Sequence, residues 1–365
     1  MSARTGRVGV VGAYGAVGRI AVAQLRAWDV GPLRVGGRDR RRTEELAAGM
    51  AAEPCPVDVT DPVNLDGFCA GCAVVLNCAG PTLAVGDLVA RAAARAGAHY
   101  VDVSGDDGLY ATVSAAFAAS DRAAAVSAGM MPGLTTLLPR YLAATSPVGP
   151  TRLVGYVGGR DRFTTVAAAD YLAVDGSAAQ RYGEPFAAWL DGGRVPHGLA
   201  PLIDTWLPFF PEPATAQPYL STETERLAAD LGLTEVRWYS VFPGEHTLAA
   251  LRARRPDATA LREAAALDTF GRDRYMVLVL EISGQDTVRT GVLRGTGATE
   301  LTGAMGALAT RQVWAGRVPA GTHHAGEILD PADTALLGEA LAVDQLAVYD
   351  GTPADRFNGY DEDTL

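Results

Sequence analysis

The feature that most constrains the fold is a set of spaced glycines near the start of the chain. Gly12, Gly15 and Gly18 follow an apolar strand pattern at residues 8–11 and precede an amphipathic helix pattern at 17–28. This arrangement permits a tight turn, close approach of a pyrophosphate, and close helix–strand packing. It predicts a dinucleotide-binding turn with phosphates at the helix N-terminus, formed by Gly12, Tyr14, Gly15, Ala16, Val17 and Gly18. A Rossmann-like turn that binds no nucleotide is the alternative.

The end of the second predicted strand, residues 33–35, indicates which dinucleotide is bound. Enzymes that use NAD usually carry an acidic residue there, which binds the ribose 2′-hydroxyl, but this chain has Gly36, Gly37 and Arg38. Glycine does not repel a 2′-phosphate, and arginine pairs with it through two N–H groups. We therefore predict NADP as the cofactor, with NAD possible and Arg38 as a ligand. The arginines at 40–42 either add to this positive charge or form a solvated helix start.

Alternating strand and helix patterns extend this interpretation over the first 145 residues. Strands are predicted at 8–11, 33–35, 56–59, 73–76, 100–103 and 123–126, with helices between them, one of which spans 83–96. Such units build a parallel sheet covered by helices on both faces. Further along, 275–282 and 287–294 predict a hairpin, and 300–314 and 331–348 predict helices. The predicted class is α/β, with a Rossmann doubly wound parallel sheet.

Two segments after later strands are candidates for the rest of the cofactor site. Ligands of doubly wound sheets bind beyond the carboxyl ends of the strands. Asp58 ends the third predicted strand and is a candidate partner of the adenine amine. The small residues at 77–81 follow the fourth strand and would let the backbone approach the nicotinamide half of the cofactor. The predicted cofactor site therefore also includes Asp58, Cys78, Ala79, Gly80 and Pro81.

Composition excludes several classes of protein and mechanism. The net charge of −11 argues against a nucleic-acid partner, since phosphate binding needs clustered cations. All 31 basic residues are arginine, so every mechanism that needs a lysine is excluded. No apolar run reaches the roughly 20 residues of a membrane span, and no secretory signal precedes the first strand. We expect no membrane partner and a cytoplasmic location.

The cysteines are predicted to be structural. All four lie between residues 55 and 78, and Cys69 and Cys72 form a C-x-x-C. This pair ends a predicted helix, whereas a redox pair usually opens one, where the thiol pKa is lowered. A zinc site would need further ligands at a fitting spacing. We therefore predict reduced thiols and no metal.

Several of these segments together resemble the saccharopine dehydrogenase-like family. The matching segments are 12–18, 57–61, 77–81, 99–106 and, more weakly, 303–329. Residues 129–134 are similar to the family's Gly-x-Asp-Pro-Gly turn, with Met131 in place of the acidic residue. The resemblance implies an NAD(P)-binding Rossmann domain at 1–145 plus about 300–350, and a C-terminal helical return. It also implies an inserted α+β substrate and dimerisation domain at 146–299, and hence a homodimer.

The resemblance also implies an activity. It implies NADP-dependent hydride transfer to or from a small-molecule substrate, at the C=N bond of an amino-acid-derived imine or at a C=O bond. Related members are trans-acting enoyl reductases, so an enoyl or ketone reductase for a carrier-bound or lipid-like substrate is one alternative. The aromatic segment 206–210 would suit it. The second alternative is a redox-neutral enzyme or a sensor with bound NAD(P). The change at Met131 suggests a diverged substrate.

Reduction of C=N or C=O also needs a proton donor with a pKa near the working pH. Without lysine, the candidates are histidine, tyrosine and a buried carboxylic acid. We predict two catalytic residues: Asp106, just beyond the fifth strand, and Tyr171, on the first helix of the inserted domain. A helix N-cap and an interface tyrosine are the respective alternatives.

Other polar residues are weaker candidates. Arg160, Arg162 and Arg181 are either ligands of a substrate carboxylate or surface charges. His323 and His324 are adjacent, so they point in different directions and make a poor metal pair. We expect them in a solvated loop, from which at most one reaches the active site.

Overall fold

The computed structural model describes residues 6–105, 107–146, 149–172, 183–285 and 287–357. The chain divides into two compact units. The first unit is Met1–Leu137 with Thr299–Ala342, and the second is Leu138–Ala298 with Val343–Leu365. Each unit is therefore built from two separate stretches of sequence.

The secondary structure follows in chain order. The N-terminal elements are β1 (Arg7–Val11), α1 (Ala16–Ala27), β2 (Leu33–Gly36), α2 (Arg40–Met50), β3 (Glu53–Pro54), α3 (Pro62–Cys69), β4 (Cys72–Asn77), α4 (Thr82–Val85), α5 (Leu88–Arg95), β5 (His99–Asp102), α6 (Asp107–Phe117), β6 (Ala123–Val126) and α7 (Leu134–Ala144). The middle elements are β7 (Arg152–Gly158), α8 (Thr165–Leu172), β8 (Gly183–Pro185), β9 (Ala188–Leu190), β10 (Gly193–Val195), β11 (Leu202–Thr205), β12 (Ala214–Ser221), α9 (Thr222–Leu231), β13 (Glu235–Phe242), α10 (Glu245–Leu251), α11 (Ala258–Asp268), β14 (Met276–Gly284) and β15 (Thr287–Gly295). The C-terminal elements are α12 (Ala298–Trp314), β16 (Gly321–His324), α13 (Ala325–Ile328), a 3-10 helix (Pro331–Glu339), β17 (Val343–Asp350) and α14 (Pro353–Phe357).

The first unit contains a parallel seven-stranded sheet. Its strand order is β16-β6-β5-β4-β1-β2-β3, and each neighbouring pair is parallel. The chain adds β2 and β3 on one side of β1 and then crosses to the other side, where β4, β5, β6 and β16 follow. The strand order therefore reverses between β1 and β4, and sheets of this kind bind ligands at such a topological switch point. Apolar strand residues such as Val8, Val10 and Leu76 are fully buried. The predicted Rossmann class is confirmed.

The second unit is a mixed ten-stranded sheet with helices. Its main path is β10-β9-β13-β7-β14-β15-β17, with β8, β11 and β12 attached beside it. The predicted hairpin is confirmed as β14 and β15, which pair antiparallel over their whole length. Strands β7 and β13 run parallel. This is the inserted α+β architecture that the resemblance implied.

Two predictions in the N-terminal part are wrong in detail. The third strand is Glu53–Pro54, not 56–59. The N–H groups of Cys55 and Val57 still donate to the carbonyls of Val35 and Gly37, so this segment lies beside the end of β2 although the strand itself ends at Pro54. The helix predicted over 83–96 is two helices, α4 and α5. They part at Gly86, whose φ of +50° ends the first.

Two predictions in the C-terminal part are also wrong. Residues 331–348 form a 3-10 helix followed by β17, rather than one helix, because Val343–Asp350 pairs antiparallel with β15. The predicted helical return thus ends in a strand of the second unit. His323 and His324 lie in β16, which pairs with β6, and not in a solvated loop. His324 is 8% exposed.

Candidate active site

The glycine turn is shaped to accept a diphosphate. Gly12 has a φ of +72°, and a Cβ there would lie 2.8 Å from the backbone of Cys78 and Ala79. A Cβ on Gly18 would lie 2.3 Å from the Gly12 carbonyl oxygen. Helix α1 begins at Ala16, and no side chain caps its N-terminus. The N–H groups of its first turn are therefore available to an anion.

The end of β2 packs directly against this turn. A Cβ on Gly37 would meet the Tyr14 ring at 2.4 Å, and the Asp39 N–H donates to the Tyr14 hydroxyl at 2.9 Å. Asp39 is the first carboxylate after β2, and it caps α2 by accepting from the Arg42 N–H at 3.0 Å. A helix cap is a different role from binding a ribose 2′-hydroxyl. Arg38 is exposed beside it.

Asp58 forms a tight local turn with Thr60. Its Oδ1 accepts from the Thr60 N–H at 2.9 Å and from the Thr60 hydroxyl at 2.8 Å. These hydrogen bonds, and then the nearby charge of Arg38, hold the pKa of Asp58 below its usual range. Asp58 is therefore ionised at neutral pH, and its carboxylate can accept a hydrogen bond from an adenine amine.

The loop after β4 is held in place by the buried side-chain amide of Asn77. The Cys78 N–H donates to the Val11 carbonyl at 2.9 Å, and the Ala79 N–H donates to Asn77 Oδ1 at 3.1 Å. Asn77 Nδ2 in turn donates to Asp102 Oδ2 at 3.0 Å. The predicted nicotinamide loop, residues 78–81, is thus linked to the carboxylate at the end of β5.

Asp102 is the buried acid of this sheet edge, and the sequence interpretation did not single it out. It is 1% exposed and also accepts from the Tyr100 hydroxyl and from the Ser104 N–H at 2.9 Å. Burial raises its pKa to about 6, although these hydrogen bonds oppose the shift. The sequence did contain a signal for Asp102: it is an acidic residue at the end of an otherwise apolar strand, next to a glycine-rich loop.

This raised pKa gives a prediction about stability and pH. The folded chain binds the Asp102 proton more tightly than the unfolded chain, whose pKa is near 3.8. The resulting stabilisation is complete below about pH 4 and is lost as the pH rises through about 6, a change of roughly 3 kcal/mol. Urea titrations of the wild type and of Asp102→Asn across this pH range would measure the effect. The difference between their unfolding free energies, wild type minus variant, should fall by that amount as the pH rises. A difference that does not vary with pH would contradict the raised pKa.

A second polar cluster joins the ends of β6 and β16. Ser127 Oγ lies 3.0 Å from His324 Nδ1, and His324 Nε2 lies 3.7 Å from Asp107 Oδ1. The Tyr110 ring stacks on His324, with centroids 4.5 Å apart, and its hydroxyl donates to the Thr322 carbonyl. Ser127 has a φ of +59°, a strained conformation of the kind often found at functional sites. The sequence interpretation missed this cluster because it placed His324 in a loop.

Asp106 and Tyr171 remain predictions as catalytic residues. Asp106 lies outside the described residues. Tyr171 lies in α8 of the second unit, where its ring packs edge-on against Phe163 with centroids 5.5 Å apart. It is 38% exposed, yet the protein around its hydroxyl desolvates the group and raises its pKa to about 12. The hydroxyl therefore keeps its proton at neutral pH.

The predicted carboxylate ligands of the second unit have partners within the protein. Arg160 pairs with Glu212 and donates to the Asp273 carbonyl at 3.0 Å. Arg162 Nε donates to Thr269 Oγ1 at 2.9 Å. Arg181 lies outside the described residues. The guanidinium of Arg160 would have to leave Glu212 before it could hold a substrate carboxylate.

The four cysteines are poorly suited to redox or metal chemistry. Burial raises the pKa of the four cysteine thiols, which disfavours the thiolate that redox and metal chemistry need. Within the part of the chain that the structure describes, no three His, Cys, Asp or Glu side chains converge on a possible metal site. In the same part, every helix is too short or too polar to cross a membrane.

Comparison with known proteins agrees with this geometry. The family model of the saccharopine dehydrogenase NADP binding domain matches residues 8–131. Apo saccharopine dehydrogenase (L-Glu forming) from Saccharomyces cerevisiae matches 95% of this chain and 100% of its own, at 16% identity and a TM-score of 0.68. This likeness shows that the fold is shared. No curated protein sequence matches the chain.

Two further solved structures with lower TM-scores also match most of this chain. A myo-inositol dehydrogenase from Corynebacterium glutamicum ATCC 13032 matches 87% of this chain and 90% of its own, at 12% identity and a TM-score of 0.45. An oxidoreductase from Sinorhizobium meliloti matches 87% and 91%, at 13% identity and a TM-score of 0.43. The family model, together with the glycine turn, assigns NADP as the cofactor. Residues 8–131 are thus similar to a saccharopine dehydrogenase NADP binding domain, and the protein is an NAD(P)-dependent oxidoreductase.

Proposed function

We propose that the protein transfers a hydride between NADP(H) and the C=N bond of an amino-acid-derived imine or a C=O bond of a small molecule. The cofactor, when bound, supplies or accepts the hydride. The observation that carries the proposal is that the glycine turn, the loop 78–81 and two polar clusters share the carboxyl edge of one parallel sheet. Such an edge is where doubly wound sheets place their ligands.

The proposal gives each cluster a role. The Asn77–Asp102 hydrogen bond orients the loop that faces the nicotinamide half of the cofactor. His324 is the acid–base group, since histidine exchanges protons near neutral pH. Its two ring nitrogens face Ser127 and Asp107. Its 8% exposure keeps bulk water from the proton it holds.

A substrate screen tests this proposal. Purified protein with NADPH is offered amines paired with 2-oxo acids, and separately ketones, and loss of reduced nicotinamide absorbance is followed. NADPH consumption that requires both the amine and the oxo acid supports the imine reaction. Binding of NADPH without consumption by any member of the panel would instead support a redox-neutral enzyme or a sensor.

A second candidate function is an enoyl or ketone reductase for a carrier-bound or lipid-like substrate. Met131 is 45% exposed and Leu83 is 63% exposed, and they follow β6 and β4 on segments 127–135 and 77–86, which contain no charged residue. An amino acid would find no counter-ion on these segments, whereas an acyl chain would find apolar contacts. Consumption of NADPH with a 2-enoyl thioester, and not with amine plus oxo acid, would favour this function.

The role of His324 predicts a large kinetic effect. His324→Gln should lower kcat by about 100-fold, the usual contribution of a general acid, and should remove the histidine-dependent limb of the pH profile. The matched control is His323→Gln, because the neighbouring ring bonds to the Pro319 carbonyl at the surface. The control should keep the wild-type kcat and pH profile. A wild-type kcat in His324→Gln, with NADPH binding intact, would exclude His324 as the proton donor.

A further inference from the structure

We propose that Ser127 fixes which nitrogen of the neutral His324 ring carries the proton, so that Nε2 exchanges the catalytic proton, and that Asp107 stabilises the charged ring. Ser127 thereby acts as a positioning residue, a role that rests on the proposed function in taking His324 as the acid–base group. The two side chains select the ring nitrogen that works.

The His324 ring is held in one orientation by the ring beside it. Tyr110 stacks on His324 with the ring centroids 4.5 Å apart and the ring planes at 15°. The Tyr110 hydroxyl donates to the carbonyl of Thr322 at 3.1 Å, two residues before His324. Both rings are therefore tied to the same segment, and each nitrogen keeps its own neighbour: Nδ1 faces Ser127 and Nε2 faces Asp107.

The Ser127 hydroxyl has two neighbours and only one proton to donate. Its Oγ lies 3.0 Å from His324 Nδ1 and 3.4 Å from the carbonyl oxygen of Gly105. A carbonyl oxygen can only accept, so both contacts are hydrogen bonds only when Oγ donates to Gly105 and Nδ1 donates to Oγ. Donation from Oγ to Nδ1 would use one contact and leave the other without a proton. The two-bond chain therefore assigns the proton of the neutral ring to Nδ1.

The opposite nitrogen, Nε2, then gains and loses the catalytic proton. It lies 3.7 Å from Asp107 Oδ1, and the Asp107 side chain is 59% exposed. A carboxylate at this distance attracts the charged ring and so favours proton uptake at Nε2. Tyr110, which also contacts the ring from α6, directs its hydroxyl to the backbone instead. Ser127 is 2% exposed, so Nδ1 faces the protein interior and Nε2 faces the more open side.

The backbone of Ser127 supports a role for its hydroxyl. Its φ of +59° lies in the left-handed region, which is unfavourable for residues other than glycine. The Ser127 N–H donates to the carbonyl of Ser104 at 2.8 Å, and this hydrogen bond holds the strained residue beside the loop after β5. Glycine would adopt the same φ without strain. The strained serine therefore places a hydroxyl where glycine would place none.

The proton balance of the reduction shows what Ser127 contributes. As the substrate carbon gains the hydride, the charged ring of His324 gives its Nε2 proton to the nitrogen or oxygen of the former double bond. The ring is then neutral and keeps its other proton on Nδ1, hydrogen-bonded to Ser127. A proton from water restores Nε2 before the next turnover. Ser127 thus stabilises the ring form that donation from Nε2 leaves behind.

Nitrogen NMR on the resting protein tests the position of the ring proton without turnover. The wild type, Ser127→Ala and His324→Gln are labelled with isotopic histidine and followed across the titration of the ring. The chain has five histidines, so the signals lost in His324→Gln assign the ring. The proton of the neutral ring should lie on Nδ1 in the wild type and move to Nε2 in Ser127→Ala. A wild-type proton on Nε2, or no change in Ser127→Ala, would overturn the proposal.

Kinetics on two variants separate the hydroxyl from the strained backbone. Ser127→Ala and Ser127→Gly should each lower kcat by about 3- to 10-fold, the net contribution of one hydrogen bond, and leave KM unchanged. Ser127→Gly should unfold at a higher temperature than Ser127→Ala, because glycine relieves the left-handed φ. The control is Ser120→Ala, whose lost hydroxyl accepts from the Arg122 N–H at 3.1 Å, and it should keep the wild-type kcat. A wild-type kcat in both Ser127 variants would show that the hydroxyl is not needed.

A charge variant tests Asp107. Donation requires the protonated ring, so kcat for reduction falls as the pH rises through the titration of His324. Asp107→Asn should move this fall to lower pH, because the neutral amide no longer attracts the charged ring. The control is Asp121→Asn, which removes the same charge from a side chain that is 86% exposed, and it should leave the profile in place. An unmoved profile in Asp107→Asn would exclude the role of Asp107.

The proposed reductase function and the role of Ser127 fail in different measurements. If the wild type consumes no NADPH with any substrate of the panel, the reductase function fails, and the NMR result still decides where the ring proton lies. If NADPH is consumed while Ser127→Ala keeps the wild-type ring signals and kcat, the function stands and the role of Ser127 is excluded.

Discussion

Gly12→Ala should weaken NADPH binding by about 100-fold or more. Gly12 combines a φ of +72° with a position where a Cβ would lie 2.8 Å from the backbone of Cys78 and Ala79. The substitution therefore carries the cost of a left-handed alanine, about 1–3 kcal/mol, and it also forces apart the turn and the loop after β4. Both segments are predicted to contact the cofactor, so a shift of either one misplaces N–H groups that must point at phosphate.

Titration with NADPH, together with thermal unfolding, would measure this effect. The matched control is Gly49→Ala in α2, where nothing lies within 4 Å of the added Cβ. That exposed helical position should gain about 0.5–1 kcal/mol of stability from alanine and keep wild-type NADPH affinity. If Gly12→Ala bound NADPH as well as Gly49→Ala does, the glycine turn would not be the phosphate site.

Asp102→Ala should destabilise the first unit by about 3–5 kcal/mol. The substitution removes the acceptor of three buried donors, the Asn77 amide, the Tyr100 hydroxyl and the Ser104 N–H. An unsatisfied buried donor costs about 1–3 kcal/mol. Part of this cost is offset, because the substitution also removes a buried carboxyl group. Burial disfavours the charged form of that group. Released from Asp102, Asn77 would also hold the Ala79 N–H less firmly, so NADPH affinity should fall.

Urea unfolding at neutral pH, with NADPH titration on the same samples, would measure both effects. Asp66→Ala is a suitable control, since Asp66 makes an exposed ion pair with Arg95 at 2.6 Å, with both side chains about half exposed. Exposed pairs contribute at most about 1 kcal/mol. Equal losses of stability in the two variants would show that the buried network contributes no more than a surface ion pair.

The sequence predicts those structural elements that are specified by residues close together in the chain. The glycine turn and the hairpin of β14 and β15 were predictable, because a turn and its flanking period specify each of them within a few residues. The helix over 83–96 was misplaced because it is interrupted at a single residue, Gly86. The third strand was misplaced because only Glu53 and Pro54 pair with β2.

The two buried polar clusters were harder to predict because partners distant in sequence define them. Ser127 and His324 are 197 residues apart, and only the pairing of β16 with β6 brings them together. No periodicity within the segment around His324 distinguishes a buried strand end from a glycine-rich loop. Asp102 was similarly hidden, since its role depends on Asn77 in the neighbouring strand.

The late position of β16 and β17 has a consequence for synthesis of the chain. β16 pairs with β6, which precedes it by about 200 residues, and β17 completes the other sheet beside β15. A chain made from its N-terminus therefore leaves the ribosome with both sheets incomplete until residues 321–350 emerge. During that time the edges of β6 and β15 are open to pairing with other nascent chains. Production of the protein should thus benefit from slow expression and from chaperones that shield sheet edges, and a truncation before residue 321 should aggregate.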